Sequence, residues 1–178
     1  MPSWNSRGLR GSLLEEMVNM TNDKYKTAGL ALVQKIPTPI TPVEIDKQTK
    51  QITLGYFEQK STVDYIGVVQ GIPICFDAKE SKEDTFELKN VHEHQVDFME
   101  TFEKQNGVAF LLIMFTGRDS CYYMRYSELA SFWKRALDGG RKSIRQSELD
   151  PDYFFSKHTQ VFIPYLDMVK KDLDEREE

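Results

Sequence analysis

Val63-Asp64-Tyr65-Ile66-Gly67-Val68-Val69, then Gln70-Gly71, then Ile72-Pro73-Ile74-Cys75-Phe76-Asp77-Ala78-Lys79 is the stretch that decides the fold. Two runs rich in β-branched and aromatic residues flank a two-residue turn containing glycine, which reads as a β-hairpin. Centring the turn on Gln70-Gly71 sets Val69 opposite Ile72, Tyr65 opposite Phe76 and Asp64 opposite Asp77. Opposed residues share a sheet face, with Cβ atoms roughly 4.5–5.5 Å apart. Two carboxylates so placed repel each other, and a divalent cation between them removes that penalty. Mg²⁺ suits the arrangement, because it takes carboxylates and keeps several waters. Lys79 lies two residues beyond Asp77 and so shares its face. The Ala78 carbonyl is a further candidate ligand. A metal-bound water beside the lysine ammonium can be oriented and deprotonated for in-line attack on phosphorus. The bland alternative for Asp-x-Lys is an exposed, salt-bridging strand end.

Upstream, residues 12–25 read as a helix with Leu13, Leu14, Met17 and Met20 at helical spacing. Residues 30–36 read as a buried strand. Pro37, Pro39 and Pro42 then disfavour helix and central strand alike. With residues 43–57 they predict an extended excursion that leaves the body and returns as a hairpin. Downstream, residues 90–105 predict a helix with Val91, Gln95, Phe98 and Phe102 on one stripe. Residues 108–116 predict a strand buried on both faces, and residues 121–126 another strand. Ser127 can cap a helix over residues 128–137. The order α-β-excursion-β-β-α-β-β-α predicts an α/β fold: one domain over residues 1–178, with a mixed β-sheet flanked by helices. The stretch 170–178 reads as an acidic tail, a solvated helix end or disordered.

The 178 residues are 40% hydrophobic and 29% charged, which excludes collagen-like, disordered and membrane classes. The longest apolar run, residues 108–115, is far too short to span a bilayer. Residues 1–14 lack the apolar stretch of a secretory signal. Cys75 and Cys121 give neither a disulfide framework nor zinc spacing. A cytoplasmic setting is therefore expected. The net charge of -5 argues mildly against nucleic acid. Its distribution weakens that argument, since residues 170–178 hold five acidic and three basic residues and so contribute -2 of it. Basic residues gather elsewhere, at Lys79, Lys82 and Lys89 and at Arg141, Lys142 and Arg145.

Asp…Asp-x-Lys across a hairpin is similar to the signature of the PD-(D/E)xK, restriction-endonuclease-like nucleases. Further words stand around it in order: Pro37-Thr38-Pro39-Ile40, Ser61-Thr62-Val63-Asp64-Tyr65-Ile66-Gly67-Val68, Phe76-Asp77-Ala78-Lys79-Glu80, Leu88-Lys89-Asn90-Val91-His92-Glu93-His94-Gln95 and Gly140-Arg141-Lys142-Ser143-Ile144. Together they resemble the RecU family of bacterial and phage Holliday junction resolvases, over about residues 7–144. The resemblance implies a homodimeric, Mg²⁺-dependent endonuclease, with Mn²⁺ a possible substitute. Such an enzyme makes paired nicks in four-way DNA junctions and leaves 5′-phosphate and 3′-hydroxyl ends. Recombinase or branch-migration proteins are further implied partners. A stalk projecting from each subunit enters the junction centre, and here it would be residues 37–57.

Residue by residue, Asp64, Asp77 and Lys79 match the family's catalytic positions, with Asp64 and Asp77 as metal ligands. Glu15 matches an acidic residue on the first helix that in this nuclease class helps to shape the metal site, and Gln95 a glutamine near the site. Arg7 and Lys35 match positions implicated in DNA contact, and the resemblance gives Arg141 and Lys142 the same role. Departures are Asp77 where glutamate is usual, Glu87 where proline is usual, and a stalk with Ile36, Glu44 and Asp46 that is less basic than the family's.

Several residues keep two readings. Glu15 and Glu16 could simply complement the helix dipole, and Glu16 is the register alternative. Gln95 suits either active-site scaffolding or core hydrogen bonding. His92 and His94, two apart on a helix, should face apart. Phe132, Trp133 and Tyr153-Phe154-Phe155 read as core or interface. Two functional rivals stand beside the resolvase: a less selective nuclease of the same class, and a junction-binding module that does not cut.

Overall fold

In the computed structural model, which describes residues 12–57, 62–118 and 120–177, the turn residues Gln70 and Gly71 both have positive φ, 48° and 91°. Positive φ at both centres makes the two-residue turn whose twist matches a hairpin. It locks β4 (Tyr65–Val69) to β5 (Ile72–Ser81), with Val69 opposite Ile72 and Tyr65 opposite Phe76. This is the register the sequence predicts.

The remaining elements assemble around that hairpin. They are α1 (Leu13–Thr27), β1 (Ala31–Lys35), β2 (Ile40–Ile45), β3 (Ile52–Phe57), β6 (Thr85–Glu87), α2 (Glu93–Glu103), β7 (Val108–Phe115), β8 (Ser120–Arg125), α3 (Tyr126–Leu137), β9 (Ser143–Arg145), β10 (Phe154–Ser156) and α4 (Tyr165–Arg176). Six strands form one sheet in the order β1-β4-β5-β7-β8-β10. The β5–β7 pair is parallel and the other pairs are antiparallel. The α/β class and the mixed, helix-flanked sheet are as predicted. Every residue of β7 is buried, as expected of a strand paired on both edges and covered on both faces. The β2–β3 hairpin forms a separate two-stranded sheet, which is the predicted excursion.

Tyr65, Phe76, Phe110 and Tyr123, from four successive strands, stack across one sheet face with ring centroids 4.7, 4.7 and 4.4 Å apart. Tyr165 of α4 closes over Phe76 and meets Tyr25 of α1 edge-on. The α1/α4 face is therefore aromatic, and each such pair adds about 0.5–1.5 kcal/mol beyond its buried area. Because side chains alternate along a strand, Cys75, Asp77 and Lys79 point to the other face. The Cys75 thiol is pushed up by burial first, then by the Asp77 and Glu103 charges. Glu103 ends α2, so α2 covers that second face.

Several local expectations change. Leu13 and Met20 are exposed, and the inward stripe of α1 is Leu14, Met17, Val18, Thr21, Asn22 and Tyr25. The strand expected to be buried is β1, a sheet edge with Leu30 and Leu32 about half exposed. An apolar run of that length cannot by itself tell an edge from a centre. A 3-10 turn over Leu88–Asn90 precedes α2, so that helix starts at Glu93. Its buried stripe is Gln95, Val96 and Met99, with Phe98 and Phe102 half-buried. Arg125, not Ser127, precedes the first turn of α3, and no side chain caps it. Residues 170–176 are the last turns of α4. There Asp172 is buried, accepts the Tyr123 hydroxyl at 2.9 Å and pairs with Arg176. That stretch is a helix end anchored by Asp172, with residues 174–177 exposed, rather than a disordered tail.

Gly67 in β4 is required by close approach. A Cβ there would run into the Leu32 carbonyl oxygen and lie 2.7 Å from Val33 Cα. Gly67→Ala is expected to lower stability by about 1–3 kcal/mol, the usual range for overpacking, by prising β1 from β4. A chemical-denaturation midpoint unchanged from wild type would show that β1 can move aside.

Candidate active site

The site is built where β4 begins and β5 is still running. Asp64 immediately precedes β4, and its carbonyl accepts the Ile36 N–H at 2.8 Å, so the chain after β1 holds it in place. The two carboxylates are cross-linked to opposite strands. Asp77 Oδ1 accepts the Asp64 N–H at 2.6 Å, and Asp64 Oδ2 accepts the Ala78 N–H at 3.2 Å. The backbone thus relieves part of the repulsion expected from sequence, and it also aims what remains. Asp77 is fully buried, and its second oxygen, Oδ2, has no hydrogen-bond partner. The Lys79 ammonium lies 3.5 Å from that oxygen.

Burial pushes the Asp77 carboxyl up to about 7, the Asp64 charge adds to the rise, and Lys79 pulls against it. A buried anion with one orphaned oxygen is costly unless a cation faces it. Two carboxylates and a backbone carbonyl are hard oxygen donors that suit Mg²⁺ or Mn²⁺. By this test the residues present fit a divalent cation. Among the described residues, no third His, Cys, Asp or Glu joins them in a cluster.

Gln95 lies on the same face. Its Oε1 accepts the His92 N–H at 3.0 Å and closes a capping box at the start of α2. Its height follows from helix geometry. At the far end of α2, Glu103 accepts the Ala109 N–H, and Ala109 pairs with Cys75. Eight helical residues span about 12 Å, equal to about four residues of strand. Measured from Cys75, that puts Gln95 near the level of Lys79. His92 and His94, expected to face apart, stack with ring centroids 5.4 Å apart. His92 is the residue before the helix, in extended conformation, so helical spacing does not apply to it.

Glu15, not Glu16, is the partly sheltered acid of α1. Ser12 caps this helix by accepting the Glu15 N–H, and Glu80 of β5 accepts the Leu14 N–H at 2.7 Å. Glu80 thereby pins the helix start to the strand that carries Asp77 and Lys79, a role that its place beside Asp-x-Lys did not reveal. The Glu15 carboxylate is held by Lys35 Nζ at 2.6 Å. Two residues expected to serve metal and DNA are therefore paired with each other.

Among the DNA-contact candidates, Arg141 pairs with Glu148 at 2.6 Å, and Glu148 also takes Arg135. The Lys142 carbonyl accepts the Leu88 N–H at 3.0 Å. Its residue lines one hollow together with Lys89 and Trp133. One residue from each basic cluster, Lys89 and Lys142, thus meets the other beside the start of α2. Arg7 lies outside the described residues. Among the described residues, no helix is long and apolar enough to cross a membrane.

The profile of the family described as "RecU: Recombination protein U" matches residues 9–171. A "Holliday junction resolvase RecU" of Geobacillus sp. (strain WCH70) is 38% identical over 169 residues, which is 92% of this chain and 84% of that protein. A protein of the same name from Bacillus pumilus (strain SAFR-032) is 45% identical over 144 residues, 79% of this chain and 69% of that one. A solved structure, that of Archaeoglobus fulgidus Hjc, a Holliday junction resolvase, aligns with TM-score 0.41 and 12% identity. It covers 66% of this chain and 78% of its own.

Proposed function

The chain belongs to the RecU, Recombination protein U, family, and from that premise we propose that it is a Holliday junction resolvase: a metal-dependent endodeoxyribonuclease that nicks branched DNA. The observation that carries this reading is the buried, unpartnered Asp77 Oδ2 beside Lys79 and cross-linked to Asp64. Asp64 and Asp77 would hold a divalent cation, Mg²⁺ or Mn²⁺, with the Ala78 carbonyl as a further oxygen. When bound, that ion polarises the scissile phosphate and acidifies water.

The protein's own groups do the rest. Lys79 positions the attacking water or, as a neutral amine, takes its proton, and the ammonium then meets the charge that develops on the phosphate. Gln95 braces the site from α2, and Glu15 supports it from α1. Lys35, Lys142, Arg141 and Arg7 hold DNA phosphates by charge-assisted hydrogen bonds. The products carry 5′-phosphate and 3′-hydroxyl ends.

A closed two-fold dimer presents two equivalent sites to a two-fold junction, so two opposed strands are cut. The β2–β3 hairpin enters the junction centre. The bacterial cytoplasm, where recombination intermediates and their recombinase or branch-migration proteins lie, is the setting.

The test compares a labelled synthetic four-way junction with linear duplex of the same arm sequence, in Mg²⁺. Paired symmetric nicks confined to the junction are expected. Equal cutting of duplex would leave a nuclease without junction selectivity. Binding without cutting in either Mg²⁺ or Mn²⁺ would leave a junction-binding module.

A further inference from the structure

We propose that Lys35 is a positioning residue that couples DNA binding to metal binding by holding and releasing Glu15. This inference rests on the nuclease reading above. Lys35 ends β1 and sits opposite Tyr65, the residue after Asp64. The next residue, Ile36, donates its N–H to the Asp64 carbonyl. Glu15 reaches the same place from α1, since its backbone carbonyl accepts the Tyr65 hydroxyl at 3.3 Å. Glu15 and Lys35 therefore bracket the strand start that carries Asp64, and their side chains meet at 2.6 Å.

In this state Glu15 is spent on an ammonium, and the Asp64–Asp77 pair has no third carboxylate among the described residues. The Lys35 side chain is 40% exposed and the Glu15 side chain 20%. The lysine is thus the partner that solvent, or a DNA phosphate, can reach. A phosphate that takes the ammonium frees the carboxylate, and the freed carboxylate can turn to a cation at Asp64 and Asp77. Either ligand breaks the same pair, so each favours the other, and the coupling is reciprocal. An ion pair this open is a weak lock, and its release changes affinity by about two- to fivefold. Its consequence is that metal is held more firmly on DNA than off it.

The test titrates Mg²⁺ calorimetrically into the DNA-free full chain, for wild type and for Lys35→Arg, Lys35→Gln, Glu15→Gln and the double variant Glu15→Gln/Lys35→Gln. Lys35→Gln should bind Mg²⁺ about two- to fivefold more tightly than wild type, and Lys35→Arg, which keeps the pair, should match wild type. Glu15→Gln should bind more weakly, and adding Lys35→Gln to it should change nothing. A gain of equal size in both backgrounds would mean that Lys35 acts only as a nearby positive charge, which overturns the proposal. So would Lys35→Gln binding no more tightly than wild type. Junction cleavage by wild type is measured alongside. If wild type cuts while Lys35→Gln gains nothing, only the coupling fails. If wild type neither cuts nor takes Mg²⁺, the nuclease reading fails with it.

Discussion

Asp77→Asn is expected to lower junction cleavage by at least about 10²–10³-fold while making the metal-free protein more stable above neutral pH. The loss of activity follows because Asp77 supplies the oxygen with no other partner. Removing one well-placed electrostatic group from an active site costs about 10²–10³-fold, and a metal ligand costs more than the outer groups that orient ligands.

The gain in stability follows from the same burial. The Asp77 carboxyl ordinarily ionises near 3.8, and in the fold it is pushed up to about 7. Between those values the folded chain keeps a proton that the unfolded chain has lost. The contribution of Asp77 to metal-free stability therefore falls as pH rises from about 4 to about 7 and levels off above that window. The total is on the order of 2–4 kcal/mol. Asparagine carries no charge to bury. The variant should match wild type near pH 4 and exceed it by that amount near pH 8, in denaturant melts with chelator present. Adding Mg²⁺ should close the gap, because an ion that binds only the folded wild type stabilises it by mass action. A wild type whose metal-free stability rises between pH 4 and 7, with no gain in the variant, would show that Asp77 is not a strained anion.

Lys79→Met should reduce the cleavage step by about 10²–10⁴-fold, the range for a lost acid–base group, with Mg²⁺ binding retained. The Lys79 side chain is 18% exposed, and its ammonium lies at ion-pair distance from Asp77 Oδ2 without hydrogen-bonding it. That leaves its protons for water and phosphate. The measurement is the single-turnover rate at saturating junction and Mg²⁺. A loss confined to DNA affinity, with the saturated rate intact, would make Lys79 a phosphate anchor instead. Removing the ammonium also takes away the one positive charge that holds the Asp77 carboxyl down. The variant's residual activity should accordingly need higher pH.

The centre of this molecule was legible in the sequence because a two-residue turn leaves no freedom. Once Gln70-Gly71 takes positive φ, every pair along the hairpin is fixed, including the approach of Asp64 to Asp77. Strand period two then places Lys79 beside Asp77. What lay outside local pattern was not legible. The edge position of β1 depends on which strands pair, and its apolar run reads the same in either place. β9 and β10 are three residues each, too short to show a period. The Lys35–Glu15 pair joins residues twenty apart on a helix and a strand, and no spacing rule connects them. His92 and His94 stack because the helix begins at Glu93, three residues later than a period-based reading sets it, which leaves His92 outside it. Glu148 draws Arg141 and Arg135 together across the end of α3, so a stretch that reads as a basic loop is partly neutralised.

The most direct test is single-turnover cleavage of a four-way junction by wild type and Asp77→Asn, in Mg²⁺, at protein concentrations that saturate DNA binding for both. Paired nicks by wild type, with no product from the equally DNA-bound variant, are expected if Asp64, Asp77 and Lys79 form the catalytic centre. Nicking by the variant at the wild-type rate would place the chemistry elsewhere in the molecule.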